Sequence, residues 1–303
     1  METLQLIKYE VILHWIALFF YIFSAVFFLD YVVSKREKGL SVGVWLALIG
    51  FINHSIALGV RWFAVGHGPY LQKGESFSSI VWVAIAMFLL FSYAVPKLRS
   101  IGFVLLPCCL LMMFLGLVYN PQVATYLGQT LEHGRTDVET GLYSREGIAK
   151  PPPTFHGIWF ITHITATIVA MGAILISLST AVLYLFKTRN SEIEFYKKLP
   201  SLDVIDNYSY KFAGFGFIFW TVMVVAGALW AEQSWGRYWG WDPIETWSLI
   251  TWLFLGIYLH LRRFFKWQGE KASWFMIVCV LLSLITLFVI PFLTTTIHSE
   301  YFI

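Results

Sequence analysis

The run from Gly157 to Phe186, GIWFITHITATIVAMGAILISLSTAVLYLF, holds no Asp, Glu, Lys or Arg in thirty residues. About 20 mostly apolar residues suffice for a helix to cross the hydrocarbon of a bilayer. This run is long enough to tilt within the membrane or to extend past it. Seven further segments pass the same test, at approximately 10–32, 42–64, 78–95, 101–119, 210–231, 246–264 and 272–293. Composition agrees: 58% of the chain is hydrophobic and 13% charged, against about 25% charged for a soluble domain. The expected fold is an all-α integral membrane protein, a single polytopic domain over 1–303 with about eight transmembrane helices.

Basic residues set the orientation. The first connection carries Lys35, Arg36 and Lys38, and the third Lys97 and Arg99. The fifth carries Lys187, Arg189, Lys197 and Lys198, and the seventh Arg262, Arg263, Lys266 and Lys271. The positive-inside rule assigns these four to the cytoplasm, which puts both termini and the even-numbered connections outside. Three features then lie on the outer side: a short loop at 66–77, a polar loop at 120–155, and a tryptophan-rich loop at 232–247. The first apolar run lacks a small-residue cleavage site and reads as a retained helix.

The tryptophan-rich stretch, Trp235–Trp252, reads WGRYWGWDPIETWSLITW. Gly236, Gly240 and Pro243 break any regular helix in its first half. Tryptophan serves either at the membrane interface or as a face for a flat ligand. His163, about two turns into the fifth helix, and His298, just after the eighth, fall on the same side as this loop. Two histidines beside an aromatic platform of Trp235, Trp239, Trp241 and Trp247, with Gly236, Gly240 and Asp242, suggest a bis-imidazole site for a planar metal cofactor. Haem suits better than zinc, which wants a compact set of four ligands that these histidines lack. Arg61 and Arg237 are candidates for its propionates. A plainer account also fits, with His163 a hydrogen-bonded interior side chain and His298 a solvated tail residue.

The remaining ionisable and thiol groups divide the other functions. His260 ends the seventh helix at the cytoplasmic side, roughly 20 Å or more from Asp242. His14 reads as an interfacial hydrogen-bonded residue. His54, beside Asn53 and Ser55, reads equally as a polar cluster or as a functional group. Cys108, Cys109 and Cys279 lie in apolar runs, form no CxxC and precede no His. Such a pattern excludes a thiol–disulfide enzyme and covalent haem attachment to this chain itself. No nucleic-acid signature is present. A transporter for haem or a small molecule, and a quinol-oxidising di-haem membrane cytochrome b, are the competing classes.

The run ALWAEQSWGRYWGWDPIETWSLITWLFLGIYLHLRR, residues 228–263, resembles the WWD segment and following helix of the CcsA family, also called ResC. These are haem-handling membrane components of System II cytochrome c maturation. WFITHI at 159–164 and TTTIHSEY at 294–301 resemble the family's flanking histidine regions, and RWFAVGHGPY at 61–70 resembles its segment at the end of the second helix. The resemblance covers roughly residues 50–300. It implies that His163 and His298 are outer axial ligands of a transient, non-covalent haem b, and that His260 is a ligand within the membrane on the way. It also implies a holocytochrome c synthase activity with a CcsB/ResB-type partner, acting on apocytochrome c at CxxCH and served by a thioredoxin-like thiol reductant. The expected location is a bacterial inner membrane with its active face to the periplasm, or a plastid thylakoid. Two departures stand out: GHGPYLQKGESFSS in place of a PLSNLYES-like run, and DPIET in place of the common DPKET.

Overall fold

The computed structural model describes residues 2–34, 36–118, 155, 157–193, 196–197 and 199–293. Among them there is no strand, and eight helices are long and apolar enough to cross a membrane. They are α1 (Glu2–Ser34), α2 (Glu37–Val65), α3 (Lys73–Ala94), α4 (Gly102–Val118), α5 (Ile158–Arg189), α6 (Leu202–Trp235), α7 (Pro243–Phe264) and α8 (Glu270–Leu284). A 3-10 turn, Pro96–Ile101, leads into α4, and α8 continues through a π-helical turn, Ile285–Val289, and a last turn, Ile290–Leu293. The all-α eight-span expectation therefore holds.

Three helices, α1, α2 and α6, overrun their apolar segments at both ends. α6 was expected over 210–231 and forms over Leu202–Trp235, about 50 Å at 1.5 Å per residue. Hydropathy trims a span where polar residues begin, whereas the backbone keeps its hydrogen bonds through the interface. The tryptophan loop is correspondingly shorter than 232–247: Trp235 still belongs to α6 and Pro243 already opens α7, leaving residues 236–242 between them. Of the polar loop at 120–155 only Phe155 lies within the described residues.

Packing places α5 at the centre. In its most apolar window 72% is enclosed by the rest of the protein, against 17% for α7. α5 packs along α6 and also meets α3 and α8, while α1 pairs with α2. Small residues permit close approach, as expected where lipid supplies no hydrophobic drive between helices. On α2, a Cβ at Gly50 would stand 2.7 Å from Tyr21, and on α4 one at Gly102 would stand 2.6 Å from Phe28. Hydroxyls supply further links, such as Ser177 on α5 donating to the Ser209 carbonyl on α6 at 2.8 Å. The outward faces carry large apolar side chains, among them Trp45, Phe63, Leu90 and Tyr93, suited to acyl chains.

At the end opposite the tryptophan loop, Arg262 clasps Asp206 with both Nη atoms, at 2.8 and 2.7 Å, and donates to the Trp267 carbonyl. Asp206 also accepts from the Gly269 amide at 3.0 Å. Two strands of connection are thereby pinned to α6, which fixes α7 and α8 at that end. Towards the tryptophan loop, Phe77 near the start of α3 stacks on Phe288 of the π turn, with ring centroids 4.2 Å apart.

Candidate functional site

α6 ends because Gly236 takes φ 70°, a left-handed conformation that glycine adopts freely, with its amide bonded to the Glu232 carbonyl at 2.8 Å. α7 begins with a reciprocal cap. Asp242 Oδ2 accepts from the Ile244 amide at 3.1 Å, and Glu245 Oε2 accepts from the Gly240 and Asp242 amides at 2.8 and 3.2 Å. Pro243 sits at the first helical position, where its missing N–H costs nothing. The acids of DPIET thus serve backbone amides of the loop. Trp241 carries φ 58°, a strained value for a bulky residue, and its ring is 70% exposed.

The six tryptophans have separate positions. Trp239 turns inward and lines a cleft between α3, α5, α6, α7 and the π turn. Trp230 is buried with Phe155, Phe160 and Ile164, and Trp235 meets it edge-on at 4.9 Å. Trp247 supplies a carbonyl that accepts from Thr251 and Thr286 at 3.0 and 3.1 Å. Trp252 donates to Thr221 at 2.8 Å and stacks on Phe217. The indoles are thus dispersed: Trp239 lines the cleft, Trp230 and Trp235 pack against each other beside it, and Trp241 is exposed.

The cleft holds about 980 Å³, its mouth included, and is lined by His163, Gly227, Trp239, Ser248, Thr286 and Pro291 among others. His163 Nδ1 is 2.8 Å from the Met223 carbonyl. A carbonyl only accepts, so Nδ1 carries the proton, and in the neutral ring Nε2 holds the lone pair. That is the tautomer of a metal-ligating histidine with a backbone partner behind it. Gly227, one turn beyond Met223, makes the room: a Cβ there would stand 2.6 Å from Nδ1. Trp239 Nε1 is buried without a hydrogen-bond partner among the described residues, a donor that suits an acceptor on a bound molecule. An apolar cleft with one poised imidazole and one unanswered N–H fits a haem-like occupant.

The end of α8 shapes the remaining wall. Pro291 lacks the N–H of a regular helix, and just before it the chain runs through the π turn, whose Ile290 amide reaches back to Ile285. Single π turns recur at functional sites. Thr286, fully buried, is held there by the Trp247 carbonyl and by Thr251 Oγ1 at 2.8 Å. Met223, Gly227 and Thr286 had no signature in the sequence, because each acts through the backbone or through absence of a side chain.

The other candidates fall elsewhere. Arg61 does not line the cleft: it is buried between α1, α2 and α3, with Nε 2.7 Å from Glu75 and Nη2 2.8 Å from Gln72. Arg237 is exposed on the loop, its guanidinium folded over Gly240, whose Cβ would come within 2.5 Å of it. His54 is fully buried, with Tyr21 OH 3.3 Å from Nδ1 and Ser78 Oγ 2.7 Å from Nε2. His260 is exposed near the far end of α7, against Phe264 and Phe265, roughly 25 Å along the helix from Pro243. His298 lies outside the described residues. In the 66–72 loop, Tyr70 packs on Phe160 at 5.8 Å, and burial pushes its hydroxyl pKa up.

The fold and the cleft together define an eight-span helical membrane protein with an imidazole and an indole lining an apolar cleft at one end. The chain belongs to the cytochrome c assembly family, described as "Cytochrome C assembly protein", whose model matches residues 70–298, and within it to the CcsA proteins. The cytochrome c biogenesis protein CcsA of Guillardia theta is 27% identical over 292 residues, covering 90% of each chain. That of Chlamydomonas reinhardtii is 32% identical, covering 71% of this chain and 55% of its own. That of Mesostigma viride is 29% identical and covers 74% of each. Among solved structures, the cytochrome c haem lyase CcmF superposes with a TM-score of 0.62 at 16% identity, over 98% of this chain and 48% of that one. This chain thus has the fold of about half of CcmF.

Proposed function

We propose that the protein presents haem at the cleft beside Trp239 and promotes its covalent attachment to CxxCH motifs of apocytochromes c, together with a CcsB-type partner. The observation that carries this reading is His163: its Nδ1–H is spent on the Met223 carbonyl, which leaves Nε2 as the basic atom of a residue lining an apolar cleft. Haem b is cargo and substrate here. His163 serves as one axial ligand and His298 as the other, and His260 as a ligand met earlier on the way through the membrane.

Attachment adds each thiol across a haem vinyl group. A C–S bond forms at one vinyl carbon, the thiol hydrogen ends on the other, and no net electron is gained or lost. The chain's own residues contribute position: His163 is oriented from behind, Trp239 and the π turn wall the substrate, and the Asp242–Glu245 cap holds the loop in place. Fixing vinyl and thiol together is worth roughly 7–11 kcal/mol at best. The active face is the periplasmic one, by the placement of basic residues, with apocytochrome and a thioredoxin-like reductant approaching from that side.

The experiment records absorption spectra of the protein purified with its partner, as wild type and as His163→Ala. Loss of most bound haem, with partial return on adding imidazole, is the expected result. Wild-type haem content and spectrum in the variant would overturn the assignment. A CxxCH reporter co-expressed with the pair separates attachment from transport alone, which would leave the reporter without covalent haem.

A further inference from the structure

A second concentration of ionisable side chains lies between α1, α2 and α3, and the haem cleft makes no use of it. Glu10, His14, His54, Arg61 and Glu75 are all more than nine-tenths buried. Ionisable residues enclosed at membrane depth are costly to keep and point to function. Glu75 Oε1 lies 2.7 Å from Arg61 Nε, and Glu10 Oε2 lies 3.6 Å from Arg61 Nη1. Among the described residues, two carboxylates thus face the one guanidinium, with the two imidazoles close by.

The geometry says where a further proton sits and what it changes. His14 Nδ1 stands 3.1 Å from both the carbonyl and Oε1 of Glu10, and His14 Nε2 is 2.9 Å from Ser78 Oγ. Ser78 Oγ is also 2.7 Å from His54 Nε2, and His54 Nδ1 is 3.3 Å from Tyr21 OH. The Glu10 carbonyl only accepts, so His14 Nδ1 carries a hydrogen. When His14 is neutral its Nε2 must accept, so Ser78 donates to it. Ser78 has a single hydrogen and therefore accepts from His54 Nε2–H, and Tyr21 donates to His54 Nδ1. When His14 is doubly protonated, Nε2–H donates to Ser78, Ser78 donates to His54 Nε2, and His54 Nδ1–H donates to Tyr21. One proton at one end reverses every bond in the chain.

Access is built in. Glu10 Oε2 is buried with no hydrogen-bond partner and lines a small cavity with Arg61, Pro69, Gly74, Ser78 and Gly116. Among the described residues, the titratable and charged groups around the chain are Glu10, His14 and Tyr21 on α1, His54 and Arg61 on α2, and Glu75 on α3, while α4 presents Cys109 to Tyr21 and apolar Met113 and Leu117 to the cavity. We infer that Glu10 and His14 form a binding site for one proton, delivered through this cavity, whose occupancy sets the direction of the hydrogen-bond chain to Tyr21 at the middle of α1. Hydronium gives up its proton at the pair and leaves as water. The same shift carried along the chain moves a proton between the loop end of the bundle and its centre.

The test uses the full chain in lipid nanodiscs with ¹⁵N-labelled histidine rings, read by solid-state NMR across the pH range in which the protein stays folded. The His54 signals are assigned by their loss in His54→Gln. As pH falls, His14 becomes doubly protonated and His54 exchanges its Nε2–H signal for an Nδ1–H signal at the same midpoint. In Ser78→Ala, His14 still titrates while the His54 tautomer no longer follows it. A wild-type His54 whose tautomer stays constant while His14 titrates would overturn the proposal, as would a His14 that never takes up a second proton. Both are read on the wild type, so they do not depend on how any variant folds.

Discussion

His163 on α5 and Met223 on α6 are sixty residues apart, yet a single bond of 2.8 Å from the imidazole Nδ1 to the Met223 carbonyl fixes the tautomer of the ring that faces the cleft. Trp230, one turn after Gly227 on the same helix, lies nearly parallel to that imidazole with centroids 6.2 Å apart. The ring is therefore held by α6 on two sides.

Gly227→Ala tests this hold. The added methyl would meet His163 Nδ1 at 2.6 Å, so the imidazole must leave the Met223 carbonyl. Overpacking of this kind costs about 1–3 kcal/mol, and the expected outcome is a lowered thermal midpoint with a severalfold loss of bound haem. Gly214→Ala, whose nearest atom would lie 3.9 Å away on Leu259, is expected to retain wild-type haem content in the same spectra.

Trp239→Phe separates the indole face from its N–H. The buried Nε1 has no partner among the described residues, so its removal relieves a desolvation cost in the empty protein. A bound acceptor that uses the N–H loses a bond worth about 1–3 kcal/mol if its own charge is left unanswered. Haem titration is expected to show weaker retention by roughly tenfold, while thermal stability without haem is unchanged or raised.

The Glu245 carboxylate holds the loop through the Gly240 and Asp242 amides. Glu245→Ala is expected to cost about 1 kcal/mol, as for loss of a helix cap, and to speed hydrogen exchange selectively over residues 236–242. Glu245→Gln keeps an acceptor in the same place and is expected to restore most of the protection. Equal exchange in the two variants would show that charge, not the bond, holds the loop.

Much of the architecture was legible in the chain because hydropathy is a local property. A run such as 157–186 needs no partner to be recognised as a span, and Gly236 and Pro243 mark the ends of α6 and α7 by their own backbone chemistry. The DPIET acids bond backbone amides of the loop, partners that their own spacing brings within reach. The surroundings of Arg61 were not legible for a definite reason: Glu10 and Glu75, which lie beside it, come from two other helices, and nothing in the local run of residues announces such a pair.

The sequence by itself determined that eight helices cross the membrane, where they turn, and that His163 and the tryptophan loop belong to one end of the bundle. Only the tertiary structure decided which tryptophan faces the cleft, that Met223 and Gly227 set the imidazole, and that His14 and His54 share Ser78. Burying an apolar face depends on residue type alone, whereas a hydrogen bond depends on the partner that another helix brings within 3 Å.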